Sequence, residues 1–135
     1  AQAALSYVKA NAERLNIDMK LFRENDIHIH VPEGAVPKDG PSAGVAIATA
    51  IASAFTHRHV NHLIGMTGEI TLRGRVLPIG GVREKAIAAH RSGLTKIIIP
   101  KENMKDLEDV PVSVLEDLEI VSAETVDDVI NAVLR

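Results

Sequence analysis

The sequence predicts one α/β (α+β) domain in which helices cover a layered, mixed sheet. Three observations carry that expectation. In the second half, short β-branched runs alternate with helical stretches, a pattern that implies at least one parallel strand pair. Two short apolar runs flank Arg73-Gly74 as the arms of an antiparallel hairpin would. The 135 residues, 46% apolar and 24% charged, fit a single soluble domain with its own core.

Composition narrows function. Aromatic residues make up only 2%, with no Trp, one Tyr and two Phe, so platforms for base stacking are lacking. The net charge is −3 with acids and bases interspersed, which leaves no basic footprint, and nucleic acid is not indicated. The absence of cysteine excludes disulfides and thiolate metal sites. No signal peptide and no apolar run of 18 residues is present, so no membrane partner is expected and the expected location is cytoplasmic. The chain opens directly on a helical pattern without Met, which predicts a segment of a longer protein.

Leu5, Val8, Ala12 and Leu15 recur at spacings of three and four and form one face of the first helix. Residues 16–26 read as a polar connection. In 26–31, Ile27, Ile29 and Val31 alternate with His28 and His30, the pattern of a half-buried strand ended by Pro32. Residues 43–55 carry no charge, so this helix is expected to be apolar all round and central. A polar exit from His57 to His62 leads to a short strand at 63–66, then to a hairpin of 69–72 and 75–78 on a two-residue turn. Gly80-Gly81 opens a helix over 82–91 with Val82, Ala86, Ala89 and His90 on one side, and Gly93 stops it. A strand at 96–99, a helix from about Glu102, a strand at 119–121 and a helix from Thr125 complete the chain. Thr125 and Asp128 have capping-box spacing.

The chemistry concentrates in Pro37-Lys38-Asp39-Gly40-Pro41-Ser42-Ala43-Gly44, a Gly and Pro loop running into the uncharged helix. A serine there can be an N-cap, a contact in a phosphate cradle, or a nucleophile. The loop matches neither G-x-x-x-x-G-K-[ST] nor G-x-G-x-x-G, and phosphate binding by another loop type, as in small-molecule kinases, stays open at this level. As a nucleophile, Ser42 needs a base for its proton, and a helix start also gathers N–H groups that can stabilise an oxyanion. His28-x-His30 could bind zinc or join Asp39 in a triad, but no third protein ligand stands at a suitable spacing.

Three further blocks decide among these. They are Met66-Thr67-Gly68-Glu69-Ile70-Thr71-Leu72-Arg73-Gly74, then Val76-Leu77-Pro78-Ile79-Gly80-Gly81-Val82-Arg83-Glu84-Lys85, then Ala88-Ala89-His90-Arg91. With the serine loop they follow the order and spacing of the proteolytic domain of bacterial Lon, the ATP-dependent protease, which the sequence resembles over nearly its whole length. The resemblance implies a ribosomal protein S5 domain 2-like fold and a Ser–Lys dyad, with Ser42 as nucleophile and Lys85 as general base. It also implies a homohexamer acting on unfolded polypeptide. ATP and Mg²⁺ would serve an ATPase module that, like an N-terminal recognition region and further strands before the first helix, lies outside this sequence. A kinase-like phosphate-binding domain and an inactive assembly scaffold are the competing classes.

A dyad makes demands on Lys85. With an ordinary pKa of about 10.4, only about one lysine in 2,500 is neutral at pH 7 and able to accept a proton. Burial is the means of raising that share, and the Gly-Gly entry with Val82, Ala86 and Ala89 permits it. Thr67 is the expected hydroxyl partner of the amine. Asp39 or Glu69 near the amine would raise its pKa and switch the base off, so Asp39 is expected to be an inhibitory contact in a resting state.

Overall fold

Lys96–Pro100 holds three consecutive isoleucines, and Ile97, Ile98 and Ile99 are all buried. A strand apolar on both faces belongs in the middle of a covered parallel sheet. The computed structural model, which describes residues 1–30 and 42–135, places it there. Taken in chain order, the helices are α1 (Gln2–Ala10), α2 (Lys20–Glu24), α3 (Gly44–Thr56), α4 (Val82–Arg91), α5 (Val112–Asp117) and α6 (Val126–Val133). The strands are β1 (Ile64–Met66), β2 (Glu69–Ile70), β3 (Val76–Leu77), β4 (Lys96–Pro100) and β5 (Glu119–Ala123). A 3₁₀ helix, Lys101–Asp109, follows β4.

β4 pairs in parallel with β1 on one side and β5 on the other, in register Ile98↔Met66 and Ile98↔Val121. β2 and β3 form a separate antiparallel pair. Successive side chains of a strand point to opposite faces. Accordingly Ile98 joins a core with α1, α3 and α6, while Ile97 and Ile99 join a second core with α4, α5 and Leu118. This is the expected layered α/β arrangement with its parallel pair, doubled.

Several expectations are refined. α1 ends at Ala10 instead of continuing to Leu15, because Asn11 bonds Tyr7 O through its side chain and the chain turns, with Asn16 at φ 61°. The polar connection contains α2, whose Phe22 stacks obliquely on Phe55 at 4.6 Å. Residues 26–30 form no strand, and Ile29 is 40% exposed. Among the described residues no partner strand reaches them, and a strand without a ladder leaves its backbone groups unpaired. Val31 lies outside the described residues.

α3 is not buried all round: Val45, Ala48 and Ala52 are buried, whereas Ala50 and Ala54 are exposed along an open groove. The hairpin turn has three residues, not two. Thr71 N–H donates to Arg75 O and Gly74 N–H to Thr71 O, with Gly74 at φ +84°, a three-residue turn closed by a left-handed glycine. A Cβ at Gly74 would lie 2.0 Å from the Tyr7 ring, so the turn also needs glycine for space. The helix from about Glu102 is the 3₁₀ segment followed by α5. The capping box at Thr125 and Asp128 is formed in both directions. Among the described residues, no helix is long and apolar enough to cross a membrane.

Candidate active site

The site is assembled from the start of α3, the β1–β2 link and the first turn of α4. Ser42 precedes α3, whose N-cap position is Ala43 with no side-chain cap, so the expected N-cap role of Ser42 is not found. Its backbone is held instead: Ser42 O accepts from Gly68 N at 2.8 Å, and Val45 N donates to Gly68 O at 3.1 Å. This approach needs two glycines. A Cβ on Gly44 would stand 3.1 Å from Ile70 N, and one on Gly68 would stand 2.8 Å from the Val76 side chain. The link itself is fixed to the central strand by Thr67 N donating to Ile98 O.

Lys85 reaches the same point from the other side. Gly81, at φ +76°, turns the chain into α4, and Val82, Ala86 and Ala89 bury one face of that helix. Lys85 Nζ donates to Ser42 Oγ at 2.9 Å and to Thr67 Oγ1 at 3.1 Å. Burial holds the Lys85 pKa below its usual value. Thr67 is 6% exposed and its hydroxyl makes a longer bond, 3.4 Å, to Ser42 O. That hydroxyl has one hydrogen, and a carbonyl can only accept it. The Thr67 oxygen is therefore an acceptor toward Lys85, and the lone pair of a neutral amine is left for the Ser42 hydrogen.

These groups line a cleft of about 420 Å³ whose other walls include Ala46, Met66, Ala88, Leu94 and Ile97. Among the described residues, Lys85 is its only charged side chain. Glu69 does not line it; the residue sits on β2 opposite Leu77. Asp39, the expected resting-state contact, lies outside the described residues. His28, His30 and His57 line the open groove of about 700 Å³ beside α2 and α3. His57, His59 and His62 are exposed as expected, and His90 pairs with Asp117 at 2.8 Å.

Residues 1–135 match the family model of the Lon protease (S16) C-terminal proteolytic domain. The chain belongs to this family. The Lon protease of Bacillus thuringiensis (strain Al Hakam) is 62% identical over 99% of this chain and 17% of that protein. Lon protease 1 of Bacillus subtilis (strain 168) is 60% identical over 99% of this chain and 17% of its own length. Lon protease 1 of Myxococcus xanthus is 58% identical, again over 99% of this chain and 16% of its own. The chain thus spans about one sixth of these Lon proteases, and the family resemblance carried by the serine loop and the three later blocks holds from end to end.

Sequence reasoning placed Ser42, Thr67 and Lys85 together and missed Asn103, a buried amide behind the entry to α4. A single polar residue in a run of Lys, Glu and Asp carries no signal of burial.

Proposed function

We propose that this chain is the peptidase segment of a Lon-type protease, hydrolysing polypeptide through an acyl-enzyme on Ser42 with Lys85 as the base. The observation that supports it is the 2.9 Å contact from Lys85 Nζ to Ser42 Oγ in an apolar cleft where Thr67 also holds the amine. Burial favours the uncharged amine, the form able to accept a proton. In this reading neutral Lys85 takes the hydroxyl proton of Ser42 as Oγ adds to the scissile carbonyl. The resulting ammonium gives that proton to the leaving amine as the C–N bond breaks. Lys85 then takes a proton from the water that attacks the ester, and returns it to Ser42 Oγ. Val45 N and Ile47 N are committed to Gly68 O and Ala43 O, which leaves the other N–H groups at the start of α3 as the proposed donors to the developing oxyanion.

Unfolded polypeptide is the proposed substrate, because an extended backbone is needed to lay a carbonyl beside Ser42. The intact protein is proposed to be a cytoplasmic homohexamer in which ATP and Mg²⁺ serve a separate module that delivers the chain. A peptidyl phosphonate tests the chemistry. Stoichiometric adduct at Ser42, slowed roughly 10²- to 10⁴-fold by Lys85→Ala and unaffected by His28→Ala, is the expected outcome. Labelling that requires His28 and ignores Lys85 overturns the dyad.

A further inference from the structure

Besides Tyr7, three polar side chains are buried among the described residues: Thr49, Thr67 and Asn103. Thr49 bonds the carbonyl one helical turn back, at Val45, and Thr67 belongs to the cleft. Asn103, 2% exposed, does neither. Its Nδ2 donates to Ile79 O at 2.8 Å and to Asp106 Oδ2 at 2.7 Å, while its Oδ1 accepts from Ile79 N at 2.9 Å. The orientation of the amide follows from its partners, since a carbonyl and a carboxylate can only accept. Both backbone groups of Ile79 are therefore paired by one side chain, as a neighbouring strand would pair them.

The placement of Ile79 gives this consequence. β3 ends at Leu77 and α4 begins at Val82, so Ile79 lies in the link that launches the helix of Lys85. The two residues after it are glycines: a Cβ at Gly80 would touch nothing within 4 Å, and Gly81 has φ +76°. Packing at those positions does not hold the link, and backbone freedom at glycine is large. Asn103 does hold it, from the 3₁₀ helix that leaves the end of β4. β4 also positions Thr67, through Ile98 O. The two groups that contact each other at the Lys85 amine are thus indexed to one strand by two separate tethers.

We infer that Asn103 is a positioning residue for the Ser42–Lys85 pair: by standing in for a strand partner at Ile79, it fixes where the first turn of α4 begins and so where the amine arrives. The inference rests on the Ser–Lys reading above. Hydrogen bonds fail beyond about 3.5 Å, and a misplacement of about 1 Å can cost on the order of a hundredfold in rate. The 2.9 and 3.1 Å contacts of Lys85 leave little room for a drifting helix start.

The test follows phosphonate labelling of Ser42 against pH in the intact protein, comparing wild type, Asn103→Ala, Asp106→Ala and Ile130→Val, a control in the other core. Asn103→Ala is expected to label roughly 10- to 100-fold more slowly at neutral pH. Its rate–pH midpoint moves upward, because an amine released toward water regains its hydration and holds its proton to higher pH. The groups that face the amine in the described structure are the hydroxyls of Ser42 and Thr67, which do not titrate in that range. Asp106→Ala, which removes only the pin on the amide, gives a several-fold loss with the same direction of shift, and it decides the matter should Asn103→Ala not fold. Ile130→Val leaves the midpoint in place. A loss of equal size at every pH with an unmoved midpoint marks Asn103 as merely structural and overturns the inference, as does an unchanged rate. Lys85→Ala in the same series separates the two proposals: if it labels normally, the dyad fails; if it does not while Asn103→Ala does, only the positioning role fails.

Discussion

Tyr7 is buried and Lys85 half-buried, and the contrast between these two titratable groups shows what loss of water does to chemistry. Tyr7 stands on α1, 3% exposed, its hydroxyl donating to Asp127 of α6 at 2.7 Å and accepting from Arg14 at 3.0 Å. Burial, reinforced by the Asp127 carboxylate, pushes its pKa up to about 12. Burial of Lys85 pushes that amine down. In each case the low dielectric favours the neutral form. A neutral phenol is what tyrosine already is at pH 7, so Tyr7 becomes an inert anchor. A neutral amine is what lysine ordinarily is not, so the same physics moves Lys85 toward the form that can accept a proton. The sign of the shift relative to pH 7, not its occurrence, separates the candidate catalytic group from the structural one.

The comparison breaks most visibly at Lys85. Lys85→Met is expected to slow labelling of Ser42 by at least about a hundredfold while raising thermal stability slightly, by roughly 1 kcal/mol or less. The gain follows because the half-buried amine holds its proton less tightly in the folded than in the unfolded state. Its cost at neutral pH is relieved only as pH rises toward 10.5, and methionine removes it outright. A calorimetric Tm lower than wild type at pH 7 would contradict the assignment of burial as the cause.

Gly74→Ala attacks the other region. The new methyl would enter the Tyr7 ring at a left-handed backbone position, and a loss of about 2–4 kcal/mol in denaturant unfolding is expected. Labelling by the molecules that remain folded should keep its wild-type pH midpoint. The smallest effect belongs to Tyr7→Phe, about 1 kcal/mol from the lost hydrogen bonds. Because folded Tyr7 titrates near 12 and the unfolded phenol near 10, its contribution is complete below pH 10 and is lost as pH rises toward 12. The stability gap between wild type and Tyr7→Phe should therefore narrow between pH 10 and about 12. A gap that widens there would reverse the sign argued for burial.

Much of this protein was legible before any coordinates. The uncharged run before Thr56, the helix at Val82–Arg91 between its glycines, the triple isoleucine strand and the Thr125–Asp128 cap are local patterns whose cause lies within a few residues. Ser42, Thr67 and Lys85 could be named because short motifs carry them. The failures were of another kind. Residues 26–30 alternate as a strand should, yet strands exist only in pairs, and the described residues supply no partner. α3 looked buried on every side because its composition is uniform, but which faces are covered depends on where α1 and α6 pack, and Ala50 and Ala54 are left open.

The sequence by itself determined most of the helices, the central strand and the Thr125 cap, since each rests on interactions between near neighbours in the chain, and its motifs named Ser42, Thr67 and Lys85. Only the tertiary structure decided that Lys85, 43 positions after Ser42, meets its hydroxyl at 2.9 Å, and that the amine is sheltered enough to lower its pKa. It also decided that Asn103 closes on Ile79, 24 residues earlier. Distances and desolvation between remote segments are properties of the packed core as a whole, and no local pattern encodes them.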